Sequence, residues 1–155
     1  MEELDRLETW AALLLARLTT GERQRLARTV ARDLRQANAA TMRAQRAPDG
    51  EAWQPRKAKV RDAAGRIKKR AKAQAMFVKL RTAKHLKASG SASEATVGFA
   101  GRTERIAQVH HAGLRDRVKP SGPQYDYPAR PLIGITDDQI EALRDLLLQH
   151  LAGKG

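Results

Sequence analysis

A chain of 155 residues with 30 Lys+Arg, 17 Asp+Glu, a formal net charge of +13 and no cysteine has room for one domain with a modest core. The missing thiols exclude a disulfide framework and a thiolate nucleophile, and they fit a reducing cytoplasm. No apolar run approaches the roughly 18–20 residues that span a bilayer, and Met1-Glu2-Glu3 has the wrong sign for a secretory signal, so the expectation is a soluble protein.

The core is thin. Alanine makes up 27 of the 64 hydrophobic residues, and the aromatics are Trp10, Trp53, Phe77, Phe99, Tyr125 and Tyr127. Few side chains therefore bring the large buried area that anchors a self-sufficient fold, and a partner is expected to supply the missing burial. Charge is regional. Residues 23–79 hold 17 Lys+Arg against Asp33, Asp49, Glu51 and Asp62, while the rest of the chain is balanced. Such a segment faces something acidic, either nucleic acid or an acidic protein surface.

In chain order, Leu4, Leu7, Ala11, Leu14 and Leu18 recur at helical spacing behind an acidic first turn, predicting an amphipathic helix closed by Gly21. A second helix is predicted from Glu22 to Arg46 on Leu26, Val30 and Leu34, and the short Thr-Thr-Gly link folds it back as an antiparallel pair over residues 1–46. Pro48-Asp49-Gly50 is a turn. Residues 54–75 read as a basic, exposed excursion with few large apolar groups, carrying Arg56, Lys57, Lys59, Arg61, Arg66, Lys68, Lys69, Arg70 and Lys72. These nine are the candidates for meeting DNA or an acidic partner. The segment lacks interleaved aromatics for base stacking, so any DNA contact goes to phosphates.

Residues 76–152 form the α+β part. Met76 to Leu80 is apolar, and Leu86 and Ala88, then Ala95, Val97 and Phe99, alternate around Ser89-Gly90-Ser91 as a β-hairpin. A short helix runs from Arg105 to Ala112 and ends at Gly113; Lys119 to Pro128 reads as loop, and Arg130 to Ile135 as a short strand. Thr136 and Gln139 form a capping box, with Ile140, Leu143, Leu147 and Leu151 as the stripe of a last helix, and residues 153–155 fray. The fold class is α+β, one domain over 1–152: an N-terminal antiparallel helix pair, a small antiparallel sheet with a short helix, and a capped C-terminal helix packed on that sheet.

Catalytic and metal readings are weak. His110 and His111 are adjacent, so on a helix they point about 100° apart and do not chelate one ion. The nearest acid, Asp116, leaves His110 without a neighbour to orient it as a base, so a structural histidine is the expectation. Trp53 after the turn reads either as an interface anchor or as a ring folded onto its own domain. Arg130, between Ala129 and Pro131, reads as an interface ion-pair partner or as a solvated strand start.

Four clusters in order carry a resemblance: Ala47-Pro48-Asp49-Gly50 with Trp53 and Pro55-Arg56; Lys79-Leu80; Ile106-Ala107-Gln108-Val109-His110-His111-Ala112-Gly113-Leu114; and Tyr127-Pro128-Ala129-Arg130-Pro131-Leu132-Ile133-Gly134-Ile135-Thr136. The third resembles an A-x-V-H-x-x-G segment and the fourth a P-A-R-P-L-L-G segment of the phage virion morphogenesis family, the tail completion proteins of contractile-tailed bacteriophages. His111 stands where a non-histidine is common. The resemblance implies a structural virion protein of the tail-neck region, assembled in the host cytoplasm, that finishes the head-proximal end of a tail and lets it join a filled head. It implies no catalysis, cofactor, metal or membrane. It further implies a homo-oligomeric ring, of six copies by the symmetry usual for such tails, in contact with tail tube, tail terminator and neck or connector proteins. Trp53, Arg56, His110, Tyr127 and Arg130 are the interface candidates. The rival reading is a nucleic-acid-binding packaging or regulatory accessory that uses segment 54–72.

Overall fold

The computed structural model describes residues 2–57, 66 and 74–152. Among these, four helices and two two-stranded antiparallel sheets follow in the order α1 (Glu2–Leu15), α2 (Thr20–Arg43), β1 (Leu86–Gly90), β2 (Ala95–Phe99), α3 (Thr103–Ala112), β3 (Arg115–Arg117), β4 (Gln124–Asp126) and α4 (Asp137–Ala152). The class is α+β, as the patterning implies. No helix among the described residues is long and apolar enough to cross a membrane.

Glu2, Glu3 and Asp5 occupy the first turn of α1, where carboxylates favour the positive end of the helix dipole. The helix ends at Leu15, before Gly21, because Leu18 tucks inward in the turn that follows and Thr19 already caps α2. Thr19 and Glu22 form a reciprocal capping box: Glu22 N–H donates to Thr19 Oγ1 at 3.3 Å and Thr19 N–H to Glu22 Oε2 at 2.9 Å. Gly21 thus lies in the first turn of α2. At its other end α2 stops at Arg43, short of the expected Arg46. Gln45 takes φ 57°, and Arg46 N–H reaches back to Thr41 O at 3.0 Å, the bond pattern of a left-handed helix stop. The Gln45 amide makes that conformation tolerable for a non-glycine residue. It accepts from Met76 N–H at 2.7 Å and donates to Met76 O at 3.0 Å.

α2 lies across the β1–β2 hairpin, which pairs Leu86 with Phe99 and Gly90 with Ala95. Approach is close because the facing residues are small. Ala31 is fully buried, and a Cβ on Gly90 would stand 2.5 Å from Arg28 N and 2.6 Å from Ala27 C. The larger core joins Met42 of α2, Leu86 of β1 and Ala107 of α3 to Ala47, Trp53, Met76, Leu80 and Leu132. A second apolar cluster joins Ala11, Leu18, Leu26 and Leu147. Consequently α4 packs mainly on α1 and the start of α2, and the expectation that it covers the sheet is corrected. The physical reason is that α2 already occupies the hairpin's face, so the leucine stripe of α4 finds the matching stripe of α1. Its capping box forms as read: Gln139 N–H donates to Thr136 Oγ1 at 3.2 Å and Thr136 N–H to Gln139 Oε1 at 2.9 Å.

Two further expectations change. Residues 119–128 are not all loop, since β4 pairs with β3 in the register Arg115↔Asp126, Asp116↔Tyr125 and Arg117↔Gln124. Residues 130–135 are not a strand. Pro131 has no N–H, and side chains satisfy the neighbouring backbone one group at a time. Leu132 N–H donates to His111 Nδ1 at 3.1 Å and Gly134 N–H to Asn38 Oδ1 at 2.9 Å, while Asn38 Nδ2 donates back to Gly134 O at 3.2 Å. Asn38, 3% exposed, is thus a two-way clip between α2 and this segment.

Candidate functional site

Where the large core reaches the surface, Gln54–Lys57, Ala75–Leu80, His110 and the 125–130 segment enclose an open cavity of about 680 Å³. A chain of rings forms its back wall. Trp53 meets Phe77 edge-on with centroids 5.3 Å apart, Phe77 meets His110 at 5.0 Å, His110 meets Tyr127 at 4.7 Å, and Tyr127 meets Tyr125 at 4.9 Å. Such edge-to-face contacts are worth about 0.5–1.5 kcal/mol each beyond area burial. Phe77 enters the series with φ 59°, an unusual conformation for an aromatic residue, which the rings on both sides and the Gln45 clamp on Met76 hold in place.

Trp53 is 6% exposed and donates from Nε1 to Pro131 O at 2.9 Å. The ring is folded onto its own domain. Arg130, 7% exposed, is neither a solvated arginine nor an ion-pair partner within the described residues. Its N–H donates to His110 O at 2.8 Å, its Nε to Gln54 O at 2.8 Å and its Nη2 to Pro55 O at 3.4 Å. Arg130 thereby ties the chain after Trp53, through its guanidinium, to the end of α3, through its backbone N–H, and burial lowers the guanidinium pKa from the ordinary arginine value.

The α3 side of this arrangement depends on Gly113. It closes the helix with φ 68°, and its missing Cβ leaves room for Ala129, whose N would lie 2.7 Å from a substituent there. That approach sets Arg130 against the His110 carbonyl. The His110 imidazole is half-buried, and its Nδ1 has no hydrogen-bond partner among the described residues. Burial first, and the charge of Arg130 second, push its pKa below the ordinary value of 6.5. Among the described residues, no hydrogen bond or ion pair joins its imidazole to a carboxylate. No group of three or more metal-ligating side chains occurs among the described residues.

The five interface candidates therefore converge. Arg56, His110, Tyr127 and Arg130 line the cavity, and Trp53 backs its ring wall. Lys57 is there as well, with Nζ 5.9 Å from the Tyr125 ring centroid. Of the other basic candidates, Arg66 is exposed, whereas Lys59, Arg61, Lys68, Lys69, Arg70 and Lys72 lie outside the described residues. Sequence reasoning missed Phe77, Tyr125 and Lys79 as wall residues. The available signal was that the two tyrosines stand two apart in a segment otherwise poor in large side chains.

Residues 2–152 match the phage virion morphogenesis family. The chain is 36% identical over 153 residues to tail completion protein S of Escherichia phage P2, covering 97% of this chain and 99% of that protein. No solved structure matches it. With the match running through both helical ends, the cavity and the 130–136 segment, the chain belongs to the phage virion morphogenesis family.

Proposed function

We propose that this protein completes the head-proximal end of a contractile phage tail and makes it competent to join a filled head, acting as a structural virion component. The observation that carries the reading is the end-to-end similarity to a protein named for tail completion. The fold adds support from its surfaces. Leu13 of α1 and Leu148 of α4 are exposed on one pair of elements, and Ile106 of α3 with Leu114 and Val118, which flank β3, are exposed elsewhere. A ring requires each copy to present two different surfaces to its neighbours, and these exposed side chains lie on two different groups of elements. Six copies match the symmetry usual for such tails. The remaining partners in this reading are the tail tube, the tail terminator and the neck or connector proteins, met after assembly in the host cytoplasm.

The nucleic-acid reading draws on the basic surplus of residues 23–79. Light scattering at low and high salt, with and without a random DNA duplex, separates the two. The tail reading expects a closed oligomer, or a monomer indifferent to DNA that assembles on tails. A monomer that binds the duplex with a steep salt dependence overturns it.

A further inference from the structure

The cavity concentrates positive charge without a counter-ion. Arg56, Lys57, Lys79 and Arg130 line it, and no Asp or Glu does among the described residues. Among the described residues, the guanidinium of Arg130 donates to the neutral carbonyls of Gln54 and Pro55. The nearby carboxylates are already engaged. Asp116 accepts from Arg105 at 2.8 Å, and Asp126 pairs with Arg115 at 3.6 Å. By sequence, the segment that links Lys57 to Ala75 carries a net positive charge, the same sign as the cavity. Between the cations the surface is apolar, with Met76, Phe77, Leu80, Val118 and Pro128 facing the space. Its volume of about 680 Å³ falls in the range of clefts that enclose a few residues of a ligand.

An occupant that satisfies both features has a carboxylate and a large apolar side chain close together. Nucleic acid fits less well. A duplex is too wide to enter, and the rings of the wall pack edge-to-face at 65–89°, so they form no parallel platform for a run of stacked bases. The guanidinium fork pairs with a planar carboxylate, and the apolar surface between the cations suits a large side chain better than a sugar-phosphate chain.

We propose that this cavity is a docking site for an acidic peptide segment of a partner protein, which seats an aromatic or large aliphatic side chain on Phe77 and Leu80 and directs carboxylates to Arg130, Arg56 and Lys57. The proposal rests on the reading that the chain works by docking to other proteins, and it names the chemistry of one such contact. The test uses the full chain and a randomised peptide display library. Peptides selected on the wild type are measured against the double variant Lys57→Glu/Lys79→Glu, both exposed positions, and against Arg130→Lys, after thermal unfolding has confirmed that each variant folds. The expected result is enrichment of peptides with two or more carboxylates beside Leu, Phe or Trp, which bind the double variant at least ~10-fold more weakly. Absence of acidic peptides among those enriched overturns the proposal, as do selected peptides that bind the double variant equally well. A single-stranded oligodeoxynucleotide that displaces the peptides and binds more tightly at the same salt also overturns it, in favour of a nucleic-acid site. No tails enter this measurement, so its failure is distinguishable from failure of the tail-completion reading.

Discussion

Three glycines separate two causes of glycine dependence. Gly101 has φ 63° and nothing within 4 Å of the place a Cβ would take, so Gly101→Ala meets backbone strain alone, about 1–2 kcal/mol. Gly90 has no positive φ, but its Cβ would meet α2 backbone at 2.5 Å, so Gly90→Ala meets crowding alone, about 1–3 kcal/mol for a forced backbone shift. Gly113 combines φ 68° with Ala129 N at 2.7 Å and Ala129 Cα at 2.9 Å. Its alanine variant should therefore lose about 2–5 kcal/mol, the sum of the two effects. In a chain of this size that lowers the thermal midpoint by roughly 4–20 °C, read by circular dichroism and checked by urea titration. Pushing Ala129 away also moves Arg130 off the His110 carbonyl, so Gly113→Ala should in addition weaken ligand binding at the cavity, which Gly101→Ala leaves intact. A Gly113→Ala variant as stable as Gly101→Ala would refute the packing argument and with it the role given to Gly113 in placing Arg130.

The other predictions concern the groups around the site. Trp53→Phe keeps the ring wall but leaves Pro131 O without its donor, costing about 1–2 kcal/mol, whereas Trp53→Ala costs about 3–5 kcal/mol; denaturant titration distinguishes them. Asn38→Ala strands both polar groups of Gly134 and should cost about 2–4 kcal/mol, more than the ~1 kcal/mol expected for removing the α4 cap by Thr136→Ala. His110 has a folded pKa below its unfolded 6.5, so its contribution to stability is full above 6.5 and is lost as pH falls through the lower, folded value. His110→Phe should flatten that part of the stability profile on the acid side, and an unchanged slope in urea titrations across this range would contradict the burial argument.

Local chemistry was legible in the sequence wherever a short stretch decides the outcome. Thr136 and Gln139 cap α4, Gly113 ends α3, and the alternation from Leu86 to Phe99 pairs as a hairpin. The same rule that found the last capping box also fits Thr19 and Glu22, but Gly21 drew the boundary to itself as a helix stop. Long-range choices were not legible. The stripe of α4 shows that it packs, though not whether it meets the sheet or α1, because that depends on α2 having taken the hairpin first. Strands of three residues, as in β3 and β4, carry too little periodicity to stand out from a loop rich in Pro, Ser and Gly. For the site, the candidates Trp53, Arg56, His110, Tyr127 and Arg130 are far apart in sequence, and the structure brings them around one cavity. Rings at 53, 77, 110 and 127 make one wall only after the chain has folded, and Arg130 reaches Gln54 across that wall.

The most direct test of the tail-completion account is a joining experiment. Filled heads and tails are produced in a host lacking this protein, mixed with and without the purified chain, and joined particles are counted by electron microscopy. The account predicts free heads and free tails without the protein, and joined particles in proportion to the protein added to the tails. Heads and tails that join equally well without it, or that stay apart when it is supplied, would contradict the account.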